Sequence, residues 1–157
     1  MPDVLLANDE IVAIAWISSI GGLQADGVAT QLPASEASWN KYGFITVAVV
    51  GGSPGQEIPV RRPVFQVDCW ANNPGSDKVP WWRANALAEQ VRLGVYDRLR
   101  VHRGVQLSAG GKTYPPATVL GAVLLTEPRR GYGDPADYAR YSCDLLLTWV
   151  PGAEIDP

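Results

Sequence analysis

The hydrophobic positions of this chain change period as it proceeds, and the changes mark its elements. Asn8, Asp9 and Glu10 precede the apolar run Ile11 to Ile17. That is the form of a capped helix start, with acidic residues in the first turn complementing the helix dipole. A short helix is predicted over about residues 9–20, ended by Gly21 and Gly22. Apolar residues occupy nearly every side of it, so it should be buried on more than one face. Residues 44–50 are rich in β-branched side chains and bounded by glycine, which predicts a strand. Residues 64–71 alternate Phe65, Val67 and Cys69 against Gln66 and Asp68, the period of a strand with one wetter face. The Gly- and Pro-containing segment between these two strands reads as a hairpin loop.

Turn chemistry from Asn72 to Asp77 then delivers the chain to its strongest helical pattern, about residues 80–100. Trp81, Ala84, Ala88, Val91, Val95 and Leu99 fall at three- and four-residue steps and predict a stripe packed on the sheet. Gly94 costs such a helix about 1 kcal/mol relative to alanine and is expected to mark a kink or an early end. A small hairpin is predicted over 105–114, turning at Ala109, Gly110 and Gly111, and a further main strand over 119–126. After a loop at 128–135, residues 138–150 close the fold as a long strand with Tyr141, Cys143, Leu145, Leu147 and Trp149 on one face. Residues 23–43 and 51–62 read as long loops and 151–157 as a tail. The class expected is α+β, a single domain over 1–157, mainly antiparallel sheet packed by one long and one short helix.

Composition agrees with a packed chain. Of 157 residues, 46% are hydrophobic and 18% charged, too apolar and too weakly charged for disorder. A chain of this size buries roughly 70% of the surface that its unfolded form exposes. The net charge of −3 argues against a protein built to bind the outside of nucleic acid. The charge is uneven: Asp3, Asp9, Glu10, Asp26 and Glu36 precede the first basic residue, Lys41. Such asymmetry fits either head-to-tail docking or a solvated acidic surface. The apolar run at 11–17 is too short to span a bilayer and lacks basic residues ahead of it, so no targeting or membrane segment is expected. Cys69 and Cys143 lie in predicted strands and are expected to be reduced and buried.

Chemistry-bearing patterns are few. Gly110-Gly111-Lys112-Thr113 resembles the end of a phosphate-binding loop, but Gln106 stands where that motif needs glycine. Tyr114-Pro115-Pro116 also opposes the helix that must follow. His102 is the sole histidine and reads as a helix-end surface residue. One histidine and two separated cysteines give no zinc-ligand spacing, and Asp134 and Asp137 have the positions of turn residues. No catalytic, cofactor or metal residue is therefore assigned, and no enzymatic activity is expected. Arg61-Arg62-Pro63 and Arg129-Arg130-Gly131 remain as arginine pairs at loop ends, either solvated or anchors at a protein interface. Placed at one end of the sheet, the two pairs would form a basic rim for the acidic N-terminal part of a neighbouring copy.

The phrase Ile58-Pro59-Val60-Arg61-Arg62-Pro63-Val64-Phe65-Gln66-Val67-Asp68-Cys69-Trp70-Ala71, followed by the helix Trp81 to Val91, resembles the tail terminator proteins of long-tailed phages, especially those of actinobacteria. The resemblance covers about the middle third of the chain. It implies a structural virion protein at the tail-neck junction, assembled in the host cytoplasm as a homo-oligomeric ring, usually of six copies in that family. Such a ring caps the head-proximal end of the tail tube, stops its polymerisation and offers a docking surface to the head connector. The partners implied are further copies of the chain, the major tail tube protein and a connector or stopper protein, with DNA passing through the lumen unbound. A head-side stopper or head-tail joining protein is the alternative. The family supplies no transferable site. Gln56, Glu57, Arg61, Arg62, Arg129 and Arg130 are the subunit or partner contacts expected from their chemistry.

Overall fold

The structure, a computed structural model, describes residues 6–76, 78–132 and 138–152. Two helices, α1 (Asp9–Ser18) and α2 (Trp81–Tyr96), accompany seven strands: β1 (Val28–Ala29), β2 (Phe44–Ser53), β3 (Arg62–Ala71), β4 (Arg103–Ala109), β5 (Lys112–Leu124), β6 (Arg129–Arg130) and β7 (Ala139–Pro151). The strands form one sheet in the order β1-β2-β3-β7-β5-β4, with β6 pairing β7. Among the described residues only the β1 and β2 pair is parallel. The chain has the α+β class expected from its sequence.

Helix α1 touches β4 at one end of this order and β1 and β2 at the other. The sheet therefore curls, and α1 closes its open side. Asn8 caps the helix by accepting from the Ile11 amide at 3.0 Å, and Asp9 and Glu10 occupy the first turn. The last turn of α1 carries no basic residue of its own. Arg103 at the start of β4 supplies one, donating to the Trp16 carbonyl at 2.8 Å and lying over the Trp16 ring. This satisfies a helix-terminal carbonyl and pins α1 to β4.

The core lies between the concave face of the sheet and the two helices. Val12, Trp16 and Ile17 of α1 and Ala88, Val91 and Val95 of α2 meet Phe65, Val67 and Cys69 of β3 and Cys143, Leu145, Leu147 and Trp149 of β7. The alternation read in both strands is the alternation observed, except that Tyr141 is half-buried and belongs to the margin.

Several boundaries differ from expectation: β2 runs on to Ser53 and β3 begins at Arg62, both within the expected 51–62 loop, and β6 lies in the expected 128–135 loop. Helix α2 ends at Tyr96, so Leu99 lies beyond it and is 94% exposed. The early end falls two residues after Gly94. A Cβ there would stand 2.7 Å from the Ile20 side chain, so glycine is what allows the segment after α1 to approach. The predicted hairpin arm at 112–114 and the predicted strand at 119–126 are one continuous strand, β5. Pro115 and Pro116 are tolerated because they fall where the β4 ladder is irregular and before the β7 ladder begins, so neither interrupts a paired amide. The 23–43 loop contains β1 and a 3-10 turn at Glu36–Ser38. It is anchored by the buried Trp39, whose ring centroid lies 5.0 Å from that of Tyr138.

Candidate functional site

The expected contact residues separate into two groups. Arg61 bridges to Trp149 of β7, whereas Arg129 and Arg130 pair with Ser142 and Tyr141. The two arginine pairs are thus about seven residues apart along β7, roughly 23 Å at the rise of a strand. They lie toward opposite ends of the sheet and do not form a common rim.

Arg61 is also engaged within its own chain. Its Nη2 donates to Asp9 Oδ2 at 2.8 Å, and its guanidinium lies over the Trp149 ring. Asp9 Oδ1 accepts from Trp149 Nε1 at 2.9 Å. Acidic N-terminal segment and basic loop do meet, but inside one molecule. Arg62, Gln56 and Glu57 are exposed on the hairpin. Val49, Val50 and Ile58 are exposed apolar residues of the same hairpin, and β2 is exposed from Ala48 to Ser53. The distal half of β2 is thus an exposed edge, while the β3 residues paired with it, Pro63 and Phe65, stay buried against β7 and the core.

At the other end, Arg130 donates to the Tyr141 hydroxyl at 3.0 Å and lies over the Trp81 ring. That hydroxyl bond and the nearby tyrosines raise the Arg130 pKa above its ordinary value and hold its charge. Arg129 approaches Asp144 at 3.7 Å. Between these ends the outer face of the sheet carries a polar row. Asp68 accepts from Gln66 at 3.1 and 3.2 Å and from the Ser142 hydroxyl, while Arg140 stands 4.0 Å away and stacks on Trp70. Trp70 Nε1 in turn donates to Thr46 Oγ1 at 3.0 Å. These bonds tie β2, β3 and β7 together through side chains as well as through the ladder.

Two open grooves flank the sheet. One, of about 380 Å3, runs between the end of α2 and β5 and is lined by Tyr96, His102, Leu120 and Val123, with Arg98 at its wall. The other, of about 430 Å3, runs between α1 and β4. His102 is exposed, as its position after the long helix implied. Gly110 and Gly111, with φ of +58° and +76°, form the turn between β4 and β5, and Lys112 begins a strand. The amide array of a phosphate-binding helix start is not built there. Both cysteines are free and buried. Burial pushes the Cys143 thiol up to about 12, and burial with the neighbouring Cys143 pushes Cys69 well up. Low thiolate content removes the nucleophile from both. Among the described residues no cluster of three or more His, Cys, Asp or Glu side chains could hold a metal ion, and no helix is long and apolar enough to cross a membrane. Asp134 and Asp137 lie outside the described residues.

Sequence reasoning did not single out Asp9, Val49, Val50 or the outer edge of β4. Asp9 was legible only as a helix-start residue, because its partners are 52 and 140 residues away.

No family model and no curated protein matches the chain. Among solved structures it is similar to a chain from the virion of a native gene transfer agent particle. The two are 15% identical, the match covers 93% of this chain and 87% of that one, and the TM-score is 0.48.

Proposed function

We propose that this chain is a non-enzymatic virion assembly subunit, and specifically a phage tail terminator acting as a ring on the head-proximal end of the tail tube. The observation that carries the proposal is where the terminator-like phrase falls in the fold. Its residues form the second arm of the β2 and β3 hairpin, including the inner strand β3, and the helix α2 that covers that strand. The resemblance thus follows one packed unit, with Phe65, Val67 and Cys69 facing Ala88 and Val91 in one core. The surface around that unit offers the exposed apolar residues Val49, Val50 and Ile58 and open grooves, features suited to contact with other chains. Buried, protonated thiols and a strand-borne Lys112 favour assembly over catalysis. Under this proposal the tube protein and a head connector are the partners, and Gln56, Glu57 and Arg62 are exposed contacts on the hairpin. Arg61 is assigned to the fold by its bond to Asp9.

Phage lacking the protein should accumulate headless tails with tubes of uncontrolled length, visible by electron microscopy. Tails of normal length that fail to join heads would replace the terminator with a head-side stopper. Nucleotide hydrolysis abolished by Lys112→Ala would overturn both.

A further inference from the structure

We infer that copies of this chain join edge to edge: the free edge of β2 in one copy adds as a strand to the free edge of β4 in another, within the groove beside α1. The inference rests on the assembly-subunit proposal and gives that subunit its self-contact.

The donor edge follows from the ladder. Strand β1 covers only Ile45 and Thr46 of β2. The Ile45 amide donates to the Gly27 carbonyl at 2.8 Å, so Ile45 turns its backbone groups toward β1. Antiparallel alternation places the amides and carbonyls of Val47 and Val49 on that same side, past the end of β1. Among the described residues no strand pairs with them there. From Phe44 to Ser53 the strand contains neither a charge nor a proline, and its one irregularity is a bulge at Val50.

The acceptor edge lies at the far end of the strand order. Among the described residues β4 pairs only with β5. The two-residue turn that sets Ala109 opposite Lys112 fixes the alternation, so Gly104, Gln106 and Ser108 turn their backbone groups away from β5. Gly104, Gln106 and Ser108 line the 430 Å3 groove, and Ile11, Ile14, Ala15 and Ser18 of α1 form its opposite wall. Ser18 Oγ is buried with no hydrogen-bond partner among the described residues. Such a hydroxyl gains a partner when a backbone is laid beside it.

Natural sheets blunt free edges with lysine, proline or strong twisting, since an unprotected edge pairs with another chain. From Gly104 to Ala109 β4 carries neither lysine nor proline; its ladder is irregular at Gln106 and α1 stands beside it, leaving the open groove between them as the approach to its edge. The occupant that matches is a second copy. Its β2 edge is uncharged, apolar and exposed from Ala48 to Ser53, and the groove it would enter has an apolar wall and an uncharged edge. Each copy has one donor edge and one acceptor edge, so the contact is heterologous and repeats head to tail, closing as a ring or running on as a filament.

The test mixes two single-site variants, Val49→Cys and Gln106→Cys, distinguished by mass and treated with a short bismaleimide; the native thiols are buried. A cross-linked dimer containing one of each, formed from the mixture and not from either variant alone, is the expected product. Products from either variant alone, or none from a mixture that sediments as an oligomer, would overturn the pairing. Gln106→Pro removes an outward amide while leaving the β5 ladder intact, and should weaken self-association by about tenfold or more with an unchanged circular dichroism spectrum. Wild-type-like assembly of that variant would also overturn it. A wild-type chain that remains monomeric at high micromolar concentration sinks the edge pairing alone, because tail length in the deletion phage still tests the terminator. Mixed cross-links together with normal-length tails in that phage sink the terminator alone.

Discussion

Asp9, the first residue of α1, holds Arg61 through a 2.8 Å ion pair and accepts from the indole of Trp149 through its other oxygen. One carboxylate thereby joins the N-terminal helix, the hairpin base and the last strand. Asp9→Ala should lower stability by about 1–2 kcal/mol, discounted from the value of a buried charged bond because Arg61 is partly exposed. Asp9→Asn should lose less, keeping an acceptor for Trp149. Denaturant midpoints at neutral pH check both, and a wild-type midpoint for Asp9→Ala would show the contact to be idle.

Gly43 and Gly110 both have positive φ but differ in surroundings. A Cβ on Gly43 would stand 2.5 Å from the Trp70 carbonyl oxygen and 2.6 Å from Leu87, whereas nothing lies within 4 Å of one on Gly110. Gly110→Ala should cost about 1–2 kcal/mol, the backbone strain alone. Gly43→Ala should cost about 2–4 kcal/mol, because a strand carbonyl must move as well. Thermal unfolding of the two variants side by side measures the difference.

The buried thiols make stability fall at high pH. The folded Cys143 pKa is pushed from an ordinary 9.0 up to about 12, and that of Cys69 is also raised. The unfolded chain therefore releases these protons first. The contribution is fully present below pH 9 and is lost as pH rises toward 12. Urea midpoints should decline across that window, and the decline should shrink in a Cys69→Ala/Cys143→Ala chain. At pH 8 neither thiol should react with iodoacetamide until the protein is unfolded.

Leu99 belongs by spacing to the apolar stripe of α2, yet it lies past the helix end in solvent. Leu99→Ser should change stability by less than about 0.5 kcal/mol, whereas Val91→Ala, in the core, should cost about 1–3 kcal/mol. Equal losses would return Leu99 to the packed face.

What the sequence made legible was what local pattern controls. The cap at Asn8, the alternation of β3 and β7, and the Ala84, Ala88, Val91 and Val95 stripe all follow from spacing. Long-range closure was not legible. Pro115-Pro116 excluded a helix, but their place inside one continuous strand was hidden, because a proline's cost there depends on whether its amide is needed, which the ladder decides. The two arginine pairs looked alike in sequence, and only strand register separated them along β7. The free edges of β2 and β4 are properties of neighbours, so no residue type announces them.

Strand β7 is paired with β3 along one side and with β5 and β6 along the other. It is the centre of the sheet, yet it is the last strand of the described chain. Until Pro151 has been synthesised, β3 and β5 have nothing between them, and the emerging chain holds two hairpins, two helices and exposed apolar faces. Folding on the ribosome must therefore wait for the end of this segment, and the interval before it is when the protein most needs a chaperone.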